Sequence, residues 1–364
     1  MQHDNIIDFF EARAYCIPTD QLESDGTLCW NSTTLVVVFL GSGNVKGMGY
    51  TYSDKSLVPL LENMCTKLVL GNPADSHPFI LNSLHNNIRN LGDTGLTSMA
   101  ISAVDNALWD LRARLYDSSL LDFLGISKYS IEAYASGGFT SYSMDQLQKE
   151  MSAWRESGFR AVKMKIGREK NKDRERLEIT RKAIGESVDL FVDANGAYNS
   201  KEALSIARML IEYDVVWFEE PVWHSDKSGL LFIREHCLAP LRVASGEYGF
   251  DLNYFKDLLI NKCVDVIQAD ATRCGTTGFL QASSLCEAFN IPLSAHTAPS
   301  LHMHLCCAVK SAINVEYFHD HARIEQMIFE GAANANNGWL IPDRSAPGNG
   351  LLLKHADAER FRCS

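Results

Sequence analysis

From about residue 130 onward the sequence alternates short β-branched runs with longer amphipathic stretches, and almost every run ends on an ionisable residue. The strand candidates are 132–138, 161–166, 189–193, 215–219, 241–247, 264–270, 291–296 and 314–318. Amphipathic stretches such as 144–157, 172–185, 201–213, 275–289 and 300–312 separate them. Strands recurring at about 25 residues suit repeated βα units. Eight such units close into a barrel or lie open as a doubly wound sheet. The strand ends decide between the two. Lys163 and Lys165 lie on the second strand, Asp193 ends the third, Glu219 the fourth, Glu247 the fifth, Asp270 the sixth and His296 the seventh, while Glu316 lies on the eighth. An open sheet would string these groups along an edge. A barrel gathers them at one mouth, where barrel enzymes keep their active sites. Such groups are seldom buried without partners, so the closed barrel is expected.

The region before the barrel reads differently. Thr33–Leu40 is a strand candidate, Gly41-Ser42-Gly43-Asn44 a turn, and Lys46–Tyr52 the returning strand of a hairpin. Helical periodicity follows over 56–70 and, more strongly, over 98–116, where Ala100, Ala103, Val104, Ala107, Leu108 and Leu111 share one face. Strands followed by helices make an α+β pattern. The expected organisation is an α+β cap over residues 1–125, a barrel over 126–335, and a tail over 336–364. Pro342, Pro347, Gly348 and Gly350 set turns in that tail, which should return it to the cap.

Composition narrows the function classes. The 364 residues carry 34 Lys and Arg against 45 Asp and Glu, a formal net charge of −11. Nucleic acid as the main partner is therefore not expected, since phosphate binding needs a basic surface. A small anionic substrate stays open, because a local metal or lysine pair can hold one. No run approaches the roughly 20 apolar residues of a membrane span, and Met1-Gln2-His3-Asp4-Asn5 does not begin a basic-then-apolar leader. The ten cysteines are scattered without a CxxC pair. They read as reduced thiols of a cytoplasmic protein.

The strand-end residues carry the chemistry. Asp193, Glu219 and Glu247 come from adjacent strands, and three hard carboxylates at one point need a cation among them. An oxygen-only set suits Mg²⁺, with Mn²⁺ as the alternative. Lys163 and Lys165 are two apart on a strand, so both face the barrel interior. Two ammonium groups there, beside a dication, are expected to depress each other's pKa and leave a lysine able to act as a base near neutral pH. Asp270 and His296 end neighbouring strands, where the carboxylate would fix the imidazole tautomer. Glu316, close to three metal carboxylates, is expected to be kept protonated by like-charge repulsion. His302 and His304 read as core histidines, because an i,i+2 pair on a helix does not converge.

In these residues the chain resembles the enolase superfamily, in particular its mandelate racemase and muconate lactonizing enzyme branch. The likeness rests on Lys163-Met164-Lys165, Val192-Asp193-Ala194-Asn195-Gly196, Trp217-Phe218-Glu219-Glu220-Pro221 and Ser245-Gly246-Glu247. It rests too on Asp270 within Gln268–Gly275, on Ser294-Ala295-His296, on Glu316, and on the Ser102–Asp110 helix. The resemblance implies an α+β cap over a modified (β/α)₇β TIM-type barrel. It also implies one Mg²⁺ ion, and an enediolate made by removing a proton α to a carboxylate. Asn195, Arg273 and Tyr52 are candidate substrate contacts, with Arg273 equally able to pair with Asp270 or Glu247. Loops 18–32 and 50–55 of the cap would select the substrate. Thr276 replaces a glycine usual in the family. The implied partner is a small carboxylate, a hydroxy or sugar acid, bound by a homo-oligomer. Dehydration of an acid sugar is the leading reading. Racemisation or epimerisation and lactone cycloisomerisation use the same parts, and a non-catalytic sugar-acid-binding protein is the distant alternative.

Overall fold

The computed structural model describes residues 5–364; Met1–Asp4, part of the stretch read for a leader, lie outside the described residues. The chain opens with an antiparallel meander of β1 (Phe9–Ser24), β2 (Cys29–Ser42) and β3 (Val45–Tyr52). The β2–β3 hairpin turns tightly, with Ser42 opposite Val45. Three helices follow: α1 (Leu57–Leu68), α2 (His77–Ile88) and α3 (Leu96–Leu115). Sequence periodicity shows neither β1 nor α2. In β1 the buried residues do not alternate cleanly, and the register to β2 shifts between Pro18 and Glu23. Such a break is where proline is tolerated in a sheet.

Eight parallel strands then follow: β4 (Ile131–Gly137), β5 (Ala161–Lys165), β6 (Asp189–Asp193), β7 (Val215–Glu219), β8 (Arg242–Ser245), β9 (Val266–Ala269), β10 (Leu293–Ala295) and β11 (Ala312–Phe318). Each pairs with the next, and β11 returns to β4 with Val315 opposite Ala133. The sheet is closed, and the open-sheet alternative is excluded. Strands β8 to β10 are shorter than their apolar runs. Glu247, Asp270 and His296 therefore stand one or two residues past the ladder, on the rim. Below the rim the barrel is plugged by aromatics: Trp217 stacks on Phe191 at 4.8 Å, with Tyr134 beside both. That plug keeps water from entering from below.

The 300–312 stretch, expected to be amphipathic, forms the helix Pro299–Ala308, in which every residue from Pro299 to Cys307 is buried. It packs on β11 with other helices over it, so no polar face is required.

The cap is clamped to the barrel through α3. Helix α3 packs on β3 so closely that a Cβ on Gly49 would stand 2.3 Å from the Ala103 carbonyl oxygen. On its other side α3 meets the helix Ala271–Phe289, which kinks at Gly275 with φ of 74°. Asn106 Oδ1 accepts from both the amide and the hydroxyl of Thr276 at 2.9 Å. The C-terminal end reaches the cap strand β1, where the Ala14 amide donates to the Ser364 carbonyl at 3.0 Å. All ten cysteines carry free thiols. Among the described residues no helix is long and apolar enough to cross a membrane.

Candidate active site

Parallel registry builds the reacting layer. Lys165 is opposite Asp193, and Asp193 is opposite Glu219. Registered residues of a parallel sheet point to the same face, so three ionic side chains enter the barrel at one height. Lys163 sits one pleat lower, its Nζ 5.5 Å from the centre of the Tyr134 ring.

Asp193, Glu219 and Glu247 are all buried, and each offers an oxygen within 4.8 Å of the other two. Two of them are partly satisfied by the chain. The Asn195 amide donates to Asp193 Oδ1 at 2.8 Å, and the Trp217 indole donates to Glu219 Oε2 at 3.0 Å. Glu247 Oε2 is buried without a hydrogen-bond partner. Burial and the nearby Asp193 push Glu219 up to about 8. Converging hard oxygens, like-charge crowding and an orphaned carboxylate oxygen are what a Mg²⁺ site requires of its ligands, and these residues fit one.

Lys163 is fully buried. Its Nζ donates to Glu219 at 2.5 Å and pairs with Glu316 at 2.8 Å. Lys165 Nζ donates to Asp193 Oδ2 at 2.5 Å. Burial pulls Lys165 down and Lys163 adds to that, but Asp193, Glu219 and Glu316 together outweigh them and hold it above the ordinary lysine value. Lys163 is likewise raised: burial opposes its charge, while Glu219, Glu316 and Asp193 favour it. The expectation of mutual depression therefore fails with the chain's own charges, because each ammonium is nearer to a carboxylate than to its twin.

Glu316 differs from expectation for the same reason. Burial opposes its ionisation, yet Lys163, His296 and Lys165 hold it well below the usual carboxylate range. The like-charge argument overlooked the lysine beneath it. Its Oε1 accepts from the Ser136 hydroxyl at 2.5 Å and its Oε2 from the Thr297 amide at 3.1 Å. Ser136 had no visible signal in the sequence beyond its place on the first barrel strand.

His296 Nδ1 pairs with Asp270 Oδ2 at 2.9 Å, while Asp270 Oδ1 accepts from the Thr272 amide at 2.7 Å. Asp270 thereby caps the helix it precedes and orients the imidazole. Burial works against the charged imidazole, but Glu247, Asp270 and Glu316 raise its pKa. The other ring nitrogen, Nε2, stands 3.4 Å from Glu247 and 3.9 Å from Glu316. His302 is a satisfied core histidine: its Nε2 accepts from the Ala271 amide at 2.8 Å, beside Asp270. His304 is buried with neither ring nitrogen partnered, and burial holds it down to about 4.

A cavity of about 350 Å³ joins these groups. Its barrel wall includes Lys165, Glu247, Asp270, Arg273, His296 and Glu316, and its cap wall includes Asp25, Leu28, Trp30, Thr34 and Tyr52. Asn195 also lines it, with Oδ1 buried and unpartnered. Arg273 donates to the Glu247 carbonyl at 2.8 Å and stands 3.7 Å from Asp270 Oδ2, so the pairing role is present, and it lines the cavity as well. Sequence reasoning missed His321, which enters the cavity from the helix after β11 and stacks on Tyr52 at 3.4 Å between ring centres.

Known proteins share this fold. A mandelate racemase/muconate lactonizing enzyme-like protein from Rubrobacter xylanophilus superposes with a TM-score of 0.96 at 44% identity, covering 98% of this chain and 100% of that one. L-talarate dehydratase from Polaromonas, complexed with Mg and L-glucarate, superposes with a TM-score of 0.89 at 26% identity, covering 99% and 98%. Arabinonate dehydratase of Saccharolobus solfataricus is 27% identical over 89% of this chain and 88% of its own length. D-galactarolactone cycloisomerase of Agrobacterium fabrum is 33% identical over 77% and 78%. The profile of the mandelate racemase/muconate lactonizing enzyme N-terminal domain matches residues 26–125, and that of the enolase C-terminal domain-like family matches residues 146–358. With barrel, cap and strand-end residues in agreement, the chain belongs to the mandelate racemase/muconate lactonizing enzyme family of the enolase superfamily.

Proposed function

We propose that the protein is a Mg²⁺-dependent lyase that dehydrates an acid sugar. It would remove the proton α to the carboxylate and then expel the β-hydroxyl. One observation carries this reading: Lys165 and the Asp270–His296 pair line the cavity together with Glu247, one of the three clustered carboxylates. Asp193, Glu219 and Glu247 would hold the ion. When bound, Mg²⁺ supplies Lewis-acid stabilisation of the negative charge that builds on the substrate carboxylate.

The chain's own residues do the rest. Lys165, or His296 through Nε2, takes the α-proton, and the other returns a proton to the departing hydroxyl. Asp270 keeps Nδ1 occupied, so that Nε2 is the nitrogen presented for proton transfer. Lys163, buried between Glu219 and Glu316, fixes both carboxylates and balances part of their charge. The aromatic plug fills the barrel beneath them, and water displaced by a bound substrate would strengthen each of these interactions. Ten free thiols suit a reducing cytoplasmic setting.

A second reading, lactone cycloisomerisation, is supported by the 33% identity to the Agrobacterium cycloisomerase. It shares the first proton transfer and differs in what leaves or closes.

The test is proton NMR in D₂O with Mg²⁺ and a panel of acid sugars. Exchange of the α-proton together with loss of water supports dehydration; a ring-opened or epimerised product without loss of water supports the isomerases. Thermal melting gives a readout free of activity. Mg²⁺ at a hundred times its Kd should stabilise the fold by about 2.7 kcal/mol, and Glu247→Gln should lose most of that. No Mg²⁺-dependent shift together with no exchange would end the proposal.

A further inference from the structure

The two ends of the cavity differ in charge. Its cationic side chains, Lys165, Arg273 and His296, all stand at the reacting end. Arg273 is further committed there: it reaches the Glu247 carbonyl and carboxylate and lies 4.5 Å from the centre of the Tyr248 ring. The cap end is lined by Asp25, Trp30, Ser32, Thr34, Tyr52 and Ser53, with His321 opposite. No lysine or arginine lines that end among the described residues. The nearest basic group on the cap loop, Arg168, donates to the carbonyls of Asp25 and Leu28 and lines a separate cavity.

Asp25 is placed for a neutral partner. Its Oδ1 is spent on the Thr27 and Leu28 amides, both at 2.6 Å, which close the loop turn. Its Oδ2 accepts no hydrogen bond from the described residues, and the residue lines the cavity. A carboxylate arriving there would meet a fixed like charge with no lysine or arginine lining that end of the cavity to receive it, the repulsive element by which sites exclude a wrong ligand. A hydroxyl would instead donate to Oδ2. His321 complements this: Nδ1 is buried without a partner and the ring is held by stacking on Tyr52. Burial, then His296, keeps it neutral, holding it down to about 3. A neutral imidazole offers one donor and one acceptor, matching a hydroxyl, and brings no positive charge to attract a carboxylate.

We infer that the substrate is a monocarboxylate with an uncharged hydroxylated tail, an aldonic rather than an aldaric acid, and that Asp25 and His321 are the residues that select it. This rests on the function proposed above and narrows it to one substrate class.

The experiment measures α-proton exchange in D₂O by the Mg²⁺-loaded protein, pairing each hexonate diastereomer with the hexarate obtained by oxidising its C6. The expected result is a kcat/KM at least about tenfold higher for the hexonate of the turned-over pair. In Asp25→Asn, which keeps the Oδ1 acceptor of the loop turn, that ratio should fall about tenfold through a lower KM for the hexarate. His321→Phe, which keeps the stack, should raise KM for the hexonate by a larger factor than it lowers kcat. Equal or better exchange of the hexarate by the native protein would overturn the inference and leave the proposed function standing. Exchange of neither class would remove the proposed function, and this inference with it. A poorly folded Asp25→Asn, seen in its melting curve, leaves the comparison in the native protein to decide.

Discussion

Two acids of the barrel mouth, Asp270 and Glu316, behave oppositely to two acids packed on the cap side, Glu23 and Glu325, while Glu219 at the mouth is raised by burial and its neighbour Asp193. At the barrel mouth Asp270 and Glu316 are fully buried, yet both are held well below the usual carboxylate range: burial opposes ionisation, but His296 dominates for the one and Lys163 for the other. On the cap side Glu23 is pushed up to about 8 by burial and Asp320, and Glu325, under Tyr50 and Tyr52, is pushed up to about 7 by burial. The burial is comparable; the difference is the cations, which come from strand ends of the barrel. The cap brings hydroxyls, aromatics and acids. The proposed proton transfer falls at one end, and the inferred recognition of a neutral tail at the other.

The comparison breaks most visibly at the barrel end. Lys165→Ala and His296→Asn should each lower turnover by about 10²–10⁴-fold, with melting temperatures close to that of the native protein. In a dehydratase both lose net product, while one of them can still exchange the α-proton with solvent. In a racemase each loses exchange on one enantiomer only. Normal turnover by both variants on the true substrate would sink the mechanism.

A second prediction concerns the cap-side acid Glu325. Its Oε1 accepts from the Tyr50 hydroxyl at 2.8 Å and its Oε2 from the Ser300 amide at 2.9 Å; Tyr52 approaches at 3.4 Å. Its folded pKa of about 7 exceeds the unfolded value of 4.5. The folded state therefore binds the extra proton between those values. The stability from that proton is fully present below pH 4.5 and is lost as the pH rises through 7. At 1.36 kcal/mol per unit, the native protein should lose about 3 kcal/mol relative to Glu325→Gln between pH 4.5 and 8, read from paired denaturant curves. A constant difference across that range would mean that Glu325 is compensated by a cation, and the contrast between the two ends would weaken.

The same division explains what could be read from the sequence. The barrel end was legible because the functional side chains lie on or just past apolar β-branched runs, and seven such strands bring them together only if the sheet closes. Strand β6, Asp189–Asp193, falls where the alternation puts it. The metal trio and the Asp270–His296 pair follow from that one inference. The protonation states did not, because they depend on which charge is nearest in space: Lys163 is 2.8 Å from Glu316, a fact of the β5-to-β11 geometry that no spacing reveals. The cap end was legible only as loops. Asp25 acts through a turn, and His321 through stacking against a strand some 270 residues earlier, a pairing without periodicity. Strand β1 escaped because Pro18 and a register shift interrupt its pattern.

The smallest expected effect lies where the two regions join. Thr276 stands where the family usually has glycine, next to the kink at Gly275, and is fully buried. Both its amide and its hydroxyl donate to Asn106 Oδ1 on α3. Thr276→Gly keeps the amide bond but removes the hydroxyl bond, worth about 1 kcal/mol. It also adds the backbone freedom of a helical glycine, worth about 1 kcal/mol. A loss of about 1–2 kcal/mol in stability is expected, with Thr276→Ser recovering the hydroxyl share. Because Thr276 touches α3 and not the cavity, kcat for α-proton exchange should stay within about twofold of native. The informative quantity is KM for a tailed substrate set against its kcat. If the junction only holds the cap in place, both stay unchanged. A KM that rises alone would show that the cap wall is set through α3, tying recognition at one end to packing at the seam.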